Sequence, residues 1–322
     1  MSFINIVIFS VSLFSFSISA KAEPELSTSY PDVDVVFKAI KVSNHVYFVQ
    51  GQAGAATKNK GFISNSGFVI TKEGVVVFDA LGTPSLAVKL FNEIRKVTDK
   101  PIKYVVVSHY HADHIYGLQV FKELGAKIIA PQGARVYLGS DLAENLLATR
   151  RSELKPWIDD TTHIVSPDEY INKYHQFSLG GIDFKLTPLG NAHSEGDLTM
   201  LVAPDNVLFS GDLIFEGRIP FIGRANIFNW LKELDNMRNV NVSAVLPGHG
   251  PLAKDPNALV KSTYNYLSLL KDNMQKAVED WIPFAKAYEK IDWGEYMFQP
   301  AFDEANRRNA YNVYLFMEQN LP

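Results

Sequence analysis

Hydrophobic positions along this chain follow two rhythms, short β-branched runs and longer stretches with helical spacing. Residues 46–49, 67–71 and 75–78 are β-branched or aromatic runs bounded by Gly, Asn and Lys-Glu-Gly turns, which predicts three strands. Residues 86–97 set Leu86, Leu90, Phe91, Ile94 and Val97 at helical intervals. A mostly apolar run at 102–107 reads as a buried strand, followed by a helix around 118–124 and a strand at 127–130. Residues 134–160 read mainly as helix and carry Arg150, Arg151 and Trp157. Strands resume around Phe177 and at 184–187, 199–202 and 207–209. A helix at 227–237 follows, with Asn226 as its cap, and then a last strand at 244–246. Residues 258–278 and 304–318 read as two more helices, and the pattern leaves open whether they cover one face or extend over a pocket. Strands alternating with helices predict a mixed α/β sandwich.

The end of the 102–107 strand changes the picture from packing to chemistry. Ser108-His109-Tyr110-His111-Ala112-Asp113-His114 places three imidazoles and a carboxylate in six positions, too polar to be packed as core. His109 and His111, two apart on an extended loop, can point to one side and share an ion. Asp113 and His114 then face a second ion close by. Imidazole nitrogen with carboxylate oxygen and no thiolate suits zinc, and also iron or manganese. Three isolated candidates lie further on: His193 in Gly190-Asn191-Ala192-His193-Ser194-Glu195-Gly196-Asp197, Asp212 after Gly211, and His249 between Gly248 and Gly250. Each follows or ends an apolar run beside glycine, where the backbone can turn tightly toward a ligand. The set reads as a dinuclear site, with His109, His111 and His193 on one metal and Asp113, His114 and His249 on the other. Asp212 lies between them as a bridge. His45, His163 and His175 have no such context.

The ordered motifs His-x-His-x-Asp-His, His, Gly-Asp and Gly-His-Gly resemble those of the metallo-β-lactamase-fold hydrolases, over about residues 42–251. The resemblance implies an αββα sandwich with the site along the sheet edge, here with additional C-terminal helices. Asp79, after the strand at 74–78, matches the family's early structural aspartate, and is expected to orient a loop or a ligand rather than to touch metal. Aspartate at 212, where true metallo-β-lactamases carry cysteine or serine, is similar to the glyoxalase II, lactonase and general metallohydrolase branches. Histidine at 111 in place of glutamate argues against the flavodiiron oxygen reductases. Three further stretches resemble the periplasmic quinoprotein relay system zinc metallohydrolases: Arg150-Arg151 through Leu154-Lys155-Pro156-Trp157, Pro167-Asp168, and Gly217-Arg218-Ile219-Pro220-Phe221.

Composition sets the organisation. With 322 residues, 47% of them hydrophobic, the chain can build a sizeable core, and ligands scattered over residues 109–249 need one common scaffold. A formal charge of −4 without any basic stripe speaks against nucleic acid. The absence of cysteine excludes a disulfide, a thiolate ligand and a lipoprotein attachment. Residues 4–18 are apolar and serine-rich and precede Ala20-Lys21-Ala22, although no lysine or arginine comes before them. This reads as a secretory signal peptide at 1–22 followed by a hydrolase domain at 23–322, in a periplasmic or secreted protein without stable membrane insertion after cleavage.

The expected function is that of an exported dinuclear zinc hydrolase acting on a small molecule. A metal-bound hydroxide, held by Asp113, would attack an ester, thioester, lactone or amide-like bond. A glyoxalase II-like thioester hydrolase and a mononuclear-iron persulfide dioxygenase share much of the motif, but export would separate either from cytosolic glutathione. Aspartate at 212 predicts at most weak β-lactamase activity. An alternative of another class is a non-catalytic metal-binding accessory protein of a periplasmic oxidation pathway. Arg218 and Arg224 flank an apolar loop soon after Asp212, so one of them is a candidate contact for an anionic substrate group.

Overall fold

A computed structural model describes residues 29–320 except 37, 239 and 253–254, so the expected signal segment at 1–22 lies outside the described residues. The first half of the chain builds a seven-stranded sheet in sequence order: β1 (Ile40–Lys41), β2 (Val46–Val49), β3 (Ser66–Ile70), β4 (Val75–Phe78), β5 (Ile102–Val106), β6 (Lys127–Pro131) and β7 (Glu169–Ile171). β1 to β4 pair antiparallel, and β4 to β7 run parallel. The parallel crossovers carry α1 (Pro84–Arg95), α2 (Ala112–Ile115), α3 (Leu118–Glu123), α4 (Ala134–Leu138) and α5 (Asp141–Glu153). The second half builds a five-stranded sheet from β8 (His175–Leu179), β9 (Ile182–Gly190), β10 (Asp197–Val202), β11 (Val207–Phe215) and β12 (Ala244–His249), in the spatial order β12-β11-β10-β9-β8. α6 (Ile227–Met237) connects the parallel pair β11 and β12, and α7 (Pro256–Glu279), α8 (Phe284–Glu289) and α9 (Phe302–Asn320) follow.

Strand alternation stacks these parts into four layers. Val75 and Val77 of β4 face the core shared with α1 and α3, whereas Val76 and Phe78 face the second sheet. Phe184, Leu186, Met200 and Phe209 meet them from the other side, with the Phe78 and Phe209 rings 4.9 Å apart. The outer face of the second sheet is covered by α6, α7 and α9 through Trp230, Leu234, Leu267, Leu270 and Val313. The result is the expected αββα sandwich with added C-terminal helices.

Local signals explain the element boundaries. Thr83 caps α1 by accepting from the Leu86 amide at 3.1 Å, and Pro84 supplies the first turn. The helix ends at Arg95, whose guanidinium donates to the carbonyls of Thr98 and Lys100, so Val97 falls outside it and is 43% exposed. Asn226 caps α6 as its sequence predicts. The stretch read as mainly helical over 134–160 forms two helices, α4 and α5, separated at Gly139-Ser140, and β11 runs on past 209 to Phe215. Among the described residues no helix is long and apolar enough to cross a membrane.

Candidate metal centre

The parallel strands β4 and β5 end at the same rim, and the residues just beyond them organise the first ligand cluster. Asp79 follows β4 in a left-handed conformation (φ 60°), which aspartate tolerates better than most residues. Its carboxylate accepts from the Ser108 amide at 2.7 Å, the Ser108 hydroxyl at 2.8 Å and His114 Nδ1 at 2.8 Å. Because the Ser108 hydroxyl donates to Asp79, it accepts from His109 Nδ1 at 2.9 Å. One buried carboxylate therefore orients two imidazoles and turns Nε2 of each toward the rim.

The second sheet brings in the rest. The loop carrying His193 is tied to Asp197, which accepts from the amides of Ala192 and Ser194 at 3.1 and 3.0 Å. The Trp230 ring, held by its Nε1–H to the Leu213 carbonyl, stands edge-on to His193 at 4.9 Å. His249 ends β12, donates from Nδ1 to the Ile63 carbonyl at 2.8 Å and stacks on Phe215 at 4.8 Å. Gly248 is required by close approach, since a Cβ there would lie 2.1 Å from Asp212 Oδ1. Gly211, at φ +53°, passes against Ser108, where a Cβ would lie 2.5 Å from the serine Cβ.

All seven residues expected as ligands meet at this rim. Their donor atoms fall into three overlapping groups: His109, His111 and His193; His109, His114 and Asp212; and Asp113, His114 and His249. His111 Nδ1 lies 2.9 Å from His109 Nε2 and 3.1 Å from His193 Nε2. Asp212 spans the groups, with Oδ1 3.2 Å from His114 Nε2, and Oδ2 3.1 Å from His249 Nε2 and 3.3 Å from His193 Nε2. Asp113 Oδ2 sits 3.3 Å from His249 Nε2. His114 Nε2 and Asp212 Oδ1 are buried without a hydrogen-bond partner. The crowded nitrogens of His109, His111 and His193, converging on one another and on the carboxylates of Asp113 and Asp212, are compensated best by a cation among them. The donor set therefore fits metal. His45, which has no place in the set, pairs instead with Asp205 at 3.0 Å.

The electrostatics divide the histidines into two kinds. Burial holds His109 and His111 below the usual imidazole range and pulls His193 down to about 3, so these three are neutral. Burial also acts to lower His114 and His249, but Asp212 and the other nearby carboxylates outweigh it and raise both. Asp113 and Asp212 run the other way. Burial pushes them up, and the histidine charges override it to hold both carboxyls below the ordinary range.

A cavity of about 670 Å³ opens over the donors, large enough for a small-molecule ligand. Its floor includes His111, Asp113, His193, Asp212 and His249, and its walls carry Arg150, Phe221, Arg224, Glu304, Arg308 and Asn312. Sequence reasoning singled out Arg224 but not the wall from α9. Glu304, Arg308 and Asn312 recur every four residues on that helix, and this spacing of polar residues along one face was the available signal.

Residues 59–249 match the family model described as the metallo-beta-lactamase superfamily. The chain belongs to that superfamily. It is 25% identical over 239 residues to metallo-beta-lactamase IND-1 of Chryseobacterium indologenes, covering 73% of this chain and 89% of the relative. It is 24% identical over 213 residues to a linear primary-alkylsulfatase of a Pseudomonas species, covering 55% and 40%. Among solved structures, a metallo-beta-lactamase from Pontibacter korlensis aligns with a TM-score of 0.58 at 20% identity, over 72% of this chain and 99% of that one. The stereoselective inverting sec-alkylsulfatase Pisa1 from Pseudomonas sp. aligns at 0.68 and 17% identity, over 89% and 50%. The superfamily expected from the motifs, and its αββα fold, are thus borne out, and the chain is a metal-dependent hydrolase of this superfamily.

Proposed function

We propose that this chain is an exported hydrolase that holds two zinc ions and opens an ester, thioester, lactone or amide-like bond of a small molecule. The observation that carries the reading is the convergence of the neutral imidazoles of His109, His111 and His193 beside a second group of Asp113, His114 and His249, with Asp212 reaching both. Zinc bound there would lower the pKa of a shared water and polarise a carbonyl. The chain's own groups supply the rest. Asp113 Oδ2 lines the cavity and is the acceptor for the proton given up by the nucleophile. Asp212 holds the two groups in register, and Asp79 fixes the rings of His109 and His114. Phe215 and Trp230 exclude water from the far side of His249 and His193.

Aspartate at 212 favours the glyoxalase II, lactonase and general metallohydrolase branches, and the Arg150, Pro167 and Gly217 stretches favour the quinoprotein relay system group within them. Elemental analysis of protein purified without chelator should return about two zinc ions per chain. Asp212→Ala should lower that content and abolish hydrolysis across a panel of esters, thioesters and lactones. One iron and no zinc would move the reading to a persulfide dioxygenase. Bound metal with a silent panel would favour an accessory role in a periplasmic oxidation pathway. Export is tested by N-terminal sequencing of the native protein, which should begin at Glu23.

A further inference from the structure

The cavity over the donors has a side recess that the ligand chemistry leaves unused. The recess is small, about 30 Å³, and shares Ile63, Asp113 and Arg150 with the cavity, whereas Tyr116 lines the recess alone. Backbone closes tightly around it: a Cβ on Gly82 would lie 2.5 Å from the Gly61 carbonyl oxygen and 3.2 Å from the Asp113 Cα. Tyr116 is fully buried, and its hydroxyl has no hydrogen-bond partner among the described residues. Tyr137, 5% exposed, brings a second hydroxyl against it, and that one is unpartnered too. Burial pushes both phenols above the ordinary range, so each keeps its proton and has a bond to give. Arg150, the other cationic or hydroxylic group at the recess, is paired with Glu153 at 2.6 Å.

Asp113 is held from the metal side. Its backbone lies in α2, where the Ser64 hydroxyl donates to its carbonyl, and its Oδ2 is 3.3 Å from His249 Nε2 and 3.6 Å from His114 Nε2. A buried hydroxyl without a partner is costly, and a polar recess of this size admits one water, which needs about three polar partners. Tyr116, Asp113 and Arg150 border the space that such a water would fill. We propose that the recess holds one ordered water, hydrogen-bonded to the Tyr116 hydroxyl and the Asp113 carboxylate. Tyr116 is then a positioning residue: through the water it keeps the carboxylate in the orientation that accepts the nucleophile's proton. That role rests on the hydrolase reading above; the water site does not.

Tyr116→Phe keeps the ring, which packs in the core of the first sheet, and removes only the oxygen. A high-resolution crystal structure of the parent protein should show one water within hydrogen-bonding distance of Tyr116 Oη and an Asp113 carboxylate oxygen. In thermal unfolding the phenylalanine variant should lose roughly 2–4 °C in Tm, because a hydroxyl that has a partner is missed and one without a partner is not. A recess without density, or a Tm that is unchanged or raised, overturns the water site. In zinc-loaded protein the same variant should lower kcat about ten-fold, with KM and zinc content unchanged. Normal kcat in the variant overturns the positioning role, and so does a loss of zinc that accounts for the fall in kcat. Water density and the Tm loss, in a parent protein that turns over no ester, thioester or lactone, would overturn the hydrolase reading and leave the water site standing.

Discussion

Single residues at the centre act through atoms that can be removed one at a time. Asp113→Asn keeps the shape but removes the proton acceptor, so kcat should fall roughly a hundred-fold or more with little change in KM. Steady-state kinetics beside zinc analysis checks this, and near-normal turnover with intact metal would contradict it. Asp79→Ala strips partners from His114 and Ser108 at once, and should weaken zinc binding about 10–100-fold in a competition titration. Acidity should separate the two groups. His114 and His249 are raised, so each holds a proton until the pH climbs past its shifted value, and an ion must displace it. Because burial keeps His109, His111 and His193 below the usual range, that trio stays proton-free to lower pH. Stepwise acidification should therefore release one ion before the other, and simultaneous loss of both would contradict the division. The seven residues that converge at the rim were legible because their spacing and order are local features of the chain. Ser108 as the link from Asp79 to His109 was not, because a hydroxyl's partner depends on where a strand far off in sequence ends.

Elements show where pattern reading stops. Helical spacing located α9 to within two residues at either end, yet could not say where it docks. Docking is decided by Asn309, whose amide donates to the Pro220 carbonyl at 2.6 Å while its oxygen accepts from the Ile222 amide at 3.0 Å. Two bonds from one buried side chain thus pin the 218–224 loop to the helix. Asn309→Ala should cost about 1–3 kcal/mol in denaturant unfolding. It should also speed hydrogen exchange at the Ile222 amide, and unchanged exchange would show that the loop is held by packing alone. β11 was read short for a related reason. Ser210-Gly211-Asp212 looks like a strand end by composition, but pairing with β12 continues beyond it, across a register irregularity at the left-handed Gly211.

At the scale of the whole molecule, alternation along β4 and β5 was enough to predict layers, because each apolar face demands a partner. Which sheet faces which was not local information, and it is this pairing that makes the site. His109, His111, Asp113 and His114 leave the first sheet, whereas His193, Asp212 and His249 belong to the second. Stripping metal with a chelator should lower Tm by on the order of 5–10 °C, restored by added zinc. An unchanged Tm would mean that no ion bridges the sheets. With ions held as proposed, residue 114 is tied to residue 193 through Asp212 and its neighbours. The same tie in an unfolded chain would close a long loop, and most of that closure entropy is surrendered once, at folding. A chain with no cysteine thereby gains what a crosslink would give it, in a form that opens without any reductant. Its durability against proteases would then follow the local supply of metal rather than the redox state of its surroundings.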